Sequence, residues 1–145
     1  MSKSALAQRI DAWFGERGWT VFPFQRAVWR TAAQGQSGLL HASTGSGKTY
    51  AVWFGALLRA ERLQGKGRKQ GLRVLWITPM RALAADTVRA LQASGAELAP
   101  GWRIEARTGD TSAAQRARQA KAWPEVLITT PESLSLMLSQ ADARE

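Results

Sequence analysis

Apolar positions recur along this chain with two different periods. Near the start, Leu6, Ile10, Trp13 and Phe14 fall on one side of a helical repeat, so Ser4–Phe14 is predicted as an amphipathic helix broken by Gly15 and Gly18. Pro23 opens a second short helix with Phe24, Ala27 and Val28 inward, ending near Gly35. Beyond it, short apolar runs alternate with helical stretches. Gly38–Ala42, Leu72–Thr78, Trp102–Arg107 and Val126–Thr129 read as strands. The run Val74-Leu75-Trp76-Ile77 is contiguous rather than alternating, as expected of a strand buried on both faces. Between the strands, Thr49–Gln64 reads as a helix apolar on most sides, and Arg81–Ser94 as one with Leu83, Ala84, Val88 and Leu91 inward. Ser112–Ala122 reads as a polar, alanine-striped helix. The last helix begins at Thr130-Pro131-Glu132, a capping hydroxyl, a proline at the first position and an acid facing the helix dipole. Its inner stripe is Leu134, Met137, Leu138 and Ala141, and Gly65–Gly71 is a flexible basic loop. Strand–helix alternation four times over predicts an α/β fold, a parallel sheet flanked by helices. Such sheets bind ligands at the carboxyl ends of their strands.

Composition narrows the classes. The 20 Lys and Arg against 11 Asp and Glu leave a net charge of +9, which favours polyanions, nucleic acid above all, though a merely soluble basic surface has the same balance. The longest apolar run, Ala51–Leu58, is too short to cross a bilayer, and Met1-Ser2-Lys3-Ser4 leads into an amphipathic stretch rather than a signal sequence. The expectation is a soluble cytoplasmic protein with no membrane partner. With no cysteine there is no disulfide framework or thiolate site, and the single histidine, His41, leaves almost nothing for zinc. His41 is expected to be a packed structural residue. Most of the seven tryptophans are expected in the core, and an exposed one could stack on a base.

The candidate chemistry centres on Ala42-Ser43-Thr44-Gly45-Ser46-Gly47-Lys48-Thr49, set between a predicted strand and a predicted helix. That context turns a pattern into a mechanism. Gly45 and Gly47 let backbone N–H groups converge on a phosphate, and the helix N-terminus points its positive end at the same anion. Thr44 through Thr49 form the nucleotide-binding set. Lys48 is expected to reach the β- and γ-phosphates of ATP, and the Thr49 hydroxyl to ligate Mg²⁺; these two are the catalytic candidates. The generic pattern has glycine where this chain has Ala42.

Further segments choose among phosphate-loop proteins. Ala-x-Thr-Gly-Ser-Gly-Lys-Thr resembles motif I of superfamily 2 helicases, Thr78-Pro79-Met80-Arg81-Ala82-Leu83-Ala84 motif Ia, and Thr129-Thr130-Pro131-Glu132-Ser133-Leu134 motif Ib. Phe24-Gln25 resembles a Q motif, whose glutamine reads adenine, and Thr108-Gly109-Asp110-Thr111 matches a further short signature. The chain as a whole is similar to the bacterial large helicase-related (Lhr) proteins, and among them to the ligase-associated DExH-box type. The resemblance implies the ATP-binding part of the first RecA-like motor domain of an ATP-dependent DNA helicase. It also implies a role in DNA repair, single-stranded DNA as partner, and association with a DNA ligase and a nuclease. Residues 1–36 would be N-terminal helices carrying the Q-like segment, and 37–145 a partial RecA-like domain with motifs I, Ia and Ib. Gln25 would face adenine, although a helix-surface glutamine is its plain alternative. Arg81, Thr108, Gly109 and Thr130 would line the nucleic-acid track, Arg81 by its guanidinium and Thr130 at a helix N-terminus, with Asp110 bordering it beside Thr108. The alternatives are a solvated arginine, an ordinary Gly-Asp turn and an ordinary N-cap. The basic cluster Lys66–Arg73 could touch nucleic acid but reads first as a solvated connector.

A working motor of this kind needs an Asp-Glu-x-His motif to hold Mg²⁺ and orient the attacking water, and no such sequence occurs in the chain. The expectation is therefore a fragment or truncated frame, with an incomplete sheet, exposed apolar surface, and nucleotide binding without turnover. Two rival readings stand beside it. One is a different phosphate-loop enzyme such as a small kinase or transporter ATPase; the other is a non-catalytic nucleic-acid-binding module with a vestigial loop.

Overall fold

Ser4 starts the first helix. Its Oγ accepts from the Ala7 N–H at 3.1 Å, satisfying a donor that a helix start leaves open. The helix α1 (Ala5–Glu16) then buries Leu6, Ile10, Trp13 and Phe14, as their spacing predicts. The computed structural model describes residues 3–43, 45, 47–64 and 71–140. It divides into two units, Met1–Lys69 and Gln70–Glu145.

The first unit is helical. α2 (Pro23–Ala33) opens with proline at its first position, but it buries Gln25 and Trp29, while Phe24 and Val28 are half-buried and Ala27 is exposed. The expected inward face is thus displaced, because a glutamine whose amide finds backbone partners can be buried at no net loss. α3 (Lys48–Gln64) buries Ala51, Trp53, Phe54, Gly55, Leu57, Leu58 and Ala60, matching its near-uniform apolarity. Trp13, Phe14, Trp19, Trp29, Tyr50 and Phe54 form an aromatic cluster with neighbouring ring centroids 5.3–6.2 Å apart, mostly edge to face. Trp29 Nε1 also donates to the Tyr50 carbonyl at 3.1 Å, so its polar end is satisfied inside the core. Gly55 faces Ala32: a Cβ placed there would lie 3.0 Å from the alanine's own. Arg59 and Arg62 of α3 both donate to the Ala33 carbonyl at the end of α2.

The second unit is a three-stranded parallel sheet of order β1-β3-β2, made by β1 (Val74–Ile77), β2 (Ile104–Arg107) and β3 (Val126–Thr129). Val74 and Ile104 lie opposite Val126, and Ile77 and Arg107 opposite Thr129, so all three strands finish level. The helices are α4 (Arg81–Leu98), α5 (Ala113–Lys121) and α6 (Pro131–Ser139). Ser112 and Thr130 are N-caps accepting from Gln115 and Ser133, the second as the sequence predicts.

Several expectations need correction. Gly38–Ala42 is not a strand: among the described residues no strand pairs with it, and Leu39 is 85% exposed. An extended run becomes a strand only where a neighbour takes its N–H and C=O groups. The strand buried on both faces is the central β3, whereas β1 pairs on one side only and exposes Leu75 and Ile77. In α4 the inner residues are Ala84, Leu91, Ser94, Gly95 and Leu98, while Leu83 is exposed and Val88 half-buried. In α6 Met137 is buried, Leu134 is half-buried and Leu138 is exposed; Ala141 lies outside the described residues. Of the tryptophans only Trp13, Trp29 and Trp53 are buried; Trp76, Trp102 and Trp123 are half-buried and Trp19 is exposed. His41 is exposed rather than packed, because the segment carrying it joins no sheet. Residues 65–70 of the basic loop lie outside the described residues.

Candidate nucleotide loop and nucleic-acid interface

In the first unit the glycine loop runs directly into α3. Gly45 and Gly47 have φ of +79° and +89°, a region in which side-chain-bearing residues are strained. Lys48 is the first residue of α3 and Thr49 the second, with Thr49 exposed. The first helical bond runs from Ala51 N to the Gly47 carbonyl, so the turn before it carries its N–H groups toward the loop. Lys48 Nζ donates to the Ala42 carbonyl at 2.8 Å, arching its ammonium over the loop's entry. Thr44 and Ser46 lie outside the described residues.

Gln25 is brought to this loop from α2. Only 2% exposed, it is no helix-surface glutamine. Its Oε1 accepts from Phe22 N at 2.9 Å, closing the start of its own helix, and its Nε2 donates to the Gly47 carbonyl at 3.2 Å. A Cβ on residue 47 would stand 2.5 Å from that nitrogen, so both backbone angle and space demand glycine. The carboxamide keeps a second N–H and a second lone pair for another partner. The residues present therefore fit a triphosphate with its metal ion: two left-handed glycines, a helix N-terminus, an ammonium and a surface hydroxyl beside it.

In the second unit the expected nucleic-acid residues fall at the carboxyl ends of the strands. Arg81 opens α4 after β1, Thr108 and Gly109 form the turn after β2, and Thr130 caps α6 after β3. Hydrogen bonds tie these ends together: Thr78 N to the Thr129 carbonyl at 2.9 Å, and Thr129 Oγ1 to the Arg107 carbonyl at 2.6 Å. Thr108 and Thr130 are buried, with hydroxyls accepting from Asp110 N and Ser133 N respectively. Arg81 lies against Gly109, and its Nη1 pairs with Asp110 Oδ1 at 3.0 Å. Arg107, the last residue of β2, stands 5.9 Å from the Trp123 ring centre. Burial, and secondarily the charge of Arg116, push its pKa below the ordinary arginine value.

The DEAD/DEAH box helicase family matches residues 22–145. The chain belongs to this family. Among its relatives, the Lhr helicase/probable uracil glycosylase of Mycolicibacterium smegmatis is 38% identical over 145 residues, covering 92% of this chain and 9% of that protein. The Lhr helicase/uracil glycosylase of Escherichia coli is 38% identical over 136 residues, covering 83% of this chain and 9% of that protein. The structure of Mycobacterium smegmatis helicase Lhr bound to ssDNA and AMP-PNP matches with a TM-score of 0.78 at 35% identity, over 96% of this chain and 18% of that one. The chain thus spans about a tenth of the length of these curated relatives. These findings agree with the superfamily 2, Lhr-type resemblance, and the parallel sheet with its helices is that of a RecA-like helicase domain. Among the described residues no helix is long and apolar enough to cross a membrane.

Two contacts of this DEAD/DEAH box domain are not foreseen from the sequence. Asp110 is expected to border the track but not to pair with Arg81, and Arg116, whose Nη2 donates to the Thr108 carbonyl at 2.8 Å, carries no expected role. Their partners lie 29 and 8 residues away, beyond any local pattern.

Proposed function

We propose that this chain is the ATP-binding part of the first motor domain of an ATP-dependent DNA helicase of the Lhr type. The observation that carries the reading is the loop itself: left-handed Gly45 and Gly47 leading into a helix whose first residue is Lys48, with Gln25 seated on Gly47. In this reading Thr44–Thr49 wrap the phosphates of ATP, and Lys48 leaves the Ala42 carbonyl for the β- and γ-phosphates. Thr49 would hold Mg²⁺, which neutralises charge on the phosphate oxygens when bound. The spare N–H and lone pair of Gln25 suit the adenine edge. Arg81, Gly109 and the backbone around Thr108 and Thr130 would grip single-stranded DNA by its phosphates, giving salt-dependent, sequence-tolerant binding. The resemblance to the ligase-associated type extends the proposal to DNA repair in the cytoplasm beside a DNA ligase and a nuclease.

The test is a pair of measurements on the chain. A fluorescent ATP analogue should bind, and Lys48→Ala should weaken it by about 10- to 100-fold, the worth of a charge-assisted phosphate contact. Phosphate release should stay at background with and without single-stranded DNA, since no Asp-Glu-x-His motif is present to orient water. Equal affinity in the two proteins would favour a vestigial loop, and DNA-stimulated turnover lost in Lys48→Ala would overturn the assignment of an incomplete motor.

A further inference from the structure

We propose that Asp110 is a positioning residue for Arg81, holding its guanidinium across the end of the sheet so that the N–H groups it leaves free receive a nucleic-acid phosphate. The inference rests on the reading of Arg81 as a backbone contact.

The geometry is specific. Arg81 follows β1 and Asp110 follows β2, and these two strands are separated by β3. The pair therefore links the loops of the outer strands across the end of the central one, where Thr130 caps α6. The arm of Arg81 passes over backbone rather than side chain: a Cβ on residue 109 would stand 3.3 Å from its Nη1 and 3.5 Å from its Cζ. Gly109 leaves room for the guanidinium, and Asp110 anchors one end of it.

The anchor is fixed before Arg81 arrives. Thr111 N donates to the Thr108 carbonyl, Thr108 N to Thr111 Oγ1, and Asp110 N to Thr108 Oγ1, all within 3.0–3.2 Å. From the neighbouring helix, Arg116 Nη2 holds the Thr108 carbonyl at 2.8 Å. Four hydrogen bonds thus set the turn that carries the carboxylate.

The contact uses only part of the arginine. One Nη1–Oδ1 bond is made, and no other hydrogen bond from Arg81 is found among the described residues. A guanidinium has five N–H donors in a rigid fork, so the Nε–Nη2 edge remains for bidentate binding of a phosphate. Arg81 is 62% exposed, and an arginine so placed otherwise samples many rotamers that binding must freeze. It also stands at the first position of α4, where a cation opposes the helix dipole. Asp110 offsets that charge and freezes the side chain in advance.

The alternative is that Asp110 is a competing anion that phosphate must displace. Anisotropy of a labelled oligothymidylate, titrated over a range of salt on the full chain, separates the two. Arg81→Ala should weaken binding and reduce the slope of log K against log salt by about one. Asp110→Ala should weaken binding about 2- to 10-fold, the cost of immobilising one side chain, with the slope unchanged. Asp110→Asn, which keeps an acceptor, should stay near the unmodified protein. In the Arg81→Ala background, Asp110→Ala should add nothing. Thermal stability should barely move, because both partners are largely exposed. Tighter binding by both Asp110 variants would overturn the proposal, as would an Asp110→Ala loss that persists without Arg81. No effect of Arg81→Ala would instead remove the reading on which it rests.

Discussion

Residues 1–69 carry 11 Lys and Arg against 3 Asp and Glu, a net of +8; residues 70–145 carry 9 against 8, a net of +1. Nearly all of the chain's net positive charge thus belongs to the helical unit with the glycine loop. The sheet unit, whose strand ends carry the expected nucleic-acid contacts, is close to neutral. A basic composition suggests a polyanion partner, but here it does not locate one. In the first unit part of the excess lies away from the glycine loop, Arg59 and Arg62 donating to the Ala33 carbonyl at the end of α2. In the second, a few donors at strand ends face the expected backbone with little net charge behind them, so individual placement carries more weight than bulk attraction.

Three substitutions test this division. The largest effect is expected from Gln25→Ala, which strips partners from Phe22 N and the Gly47 carbonyl. It should lower the stability of the helical unit by about 2–4 kcal/mol in a denaturant titration, since a buried side chain gives way to a cavity and Phe22 N loses its acceptor. Gly47→Ala comes next. Forcing a side chain to φ +89° against Gln25 should cost about 1–3 kcal/mol, read as a 10- to 100-fold loss of nucleotide-analogue affinity with single-stranded DNA affinity unchanged. The smallest effect is expected from Arg30→Ala, on an α2 residue of the charge-rich unit. The salt slope of DNA binding should not move, and a fall of about one would relocate part of the nucleic-acid track to the first unit.

What the sequence made legible follows the range of the interactions. The stripe of Leu6, Ile10, Trp13 and Phe14 and the cap at Thr130 are short-range features, and they stand as read. Val126–Thr129 was legible as a strand from its contiguous apolar and β-branched residues, but its central place was not, since Val74–Ile77 has the same pattern and lies at the edge. Gly38–Ala42 was not, since the same kind of run is a strand only beside another strand, a fact about neighbours and not about itself. The buried face of α2 was misread for a related reason. Gln25 goes inside because Gly47, 22 residues away, accepts from it. The loop's residues were evident from their spacing, whereas the Arg81–Asp110 pair needed the strand order β1-β3-β2 before the two loops could be seen to meet.

The missing side chain at Gly55 bears on how the nucleotide loop can respond. With Ala32 pressed against it and two guanidiniums clasping Ala33, α2 and α3 lock into a single lever. Gln25 rides on one arm and Lys48 on the other, so a tilt of the arm bearing the ammonium carries the carboxamide with it. On the proposed reading, grip on phosphate and grip on base would then change in step, and a methyl group at residue 55, 3.0 Å from the Ala32 Cβ, would press on the contact that couples them.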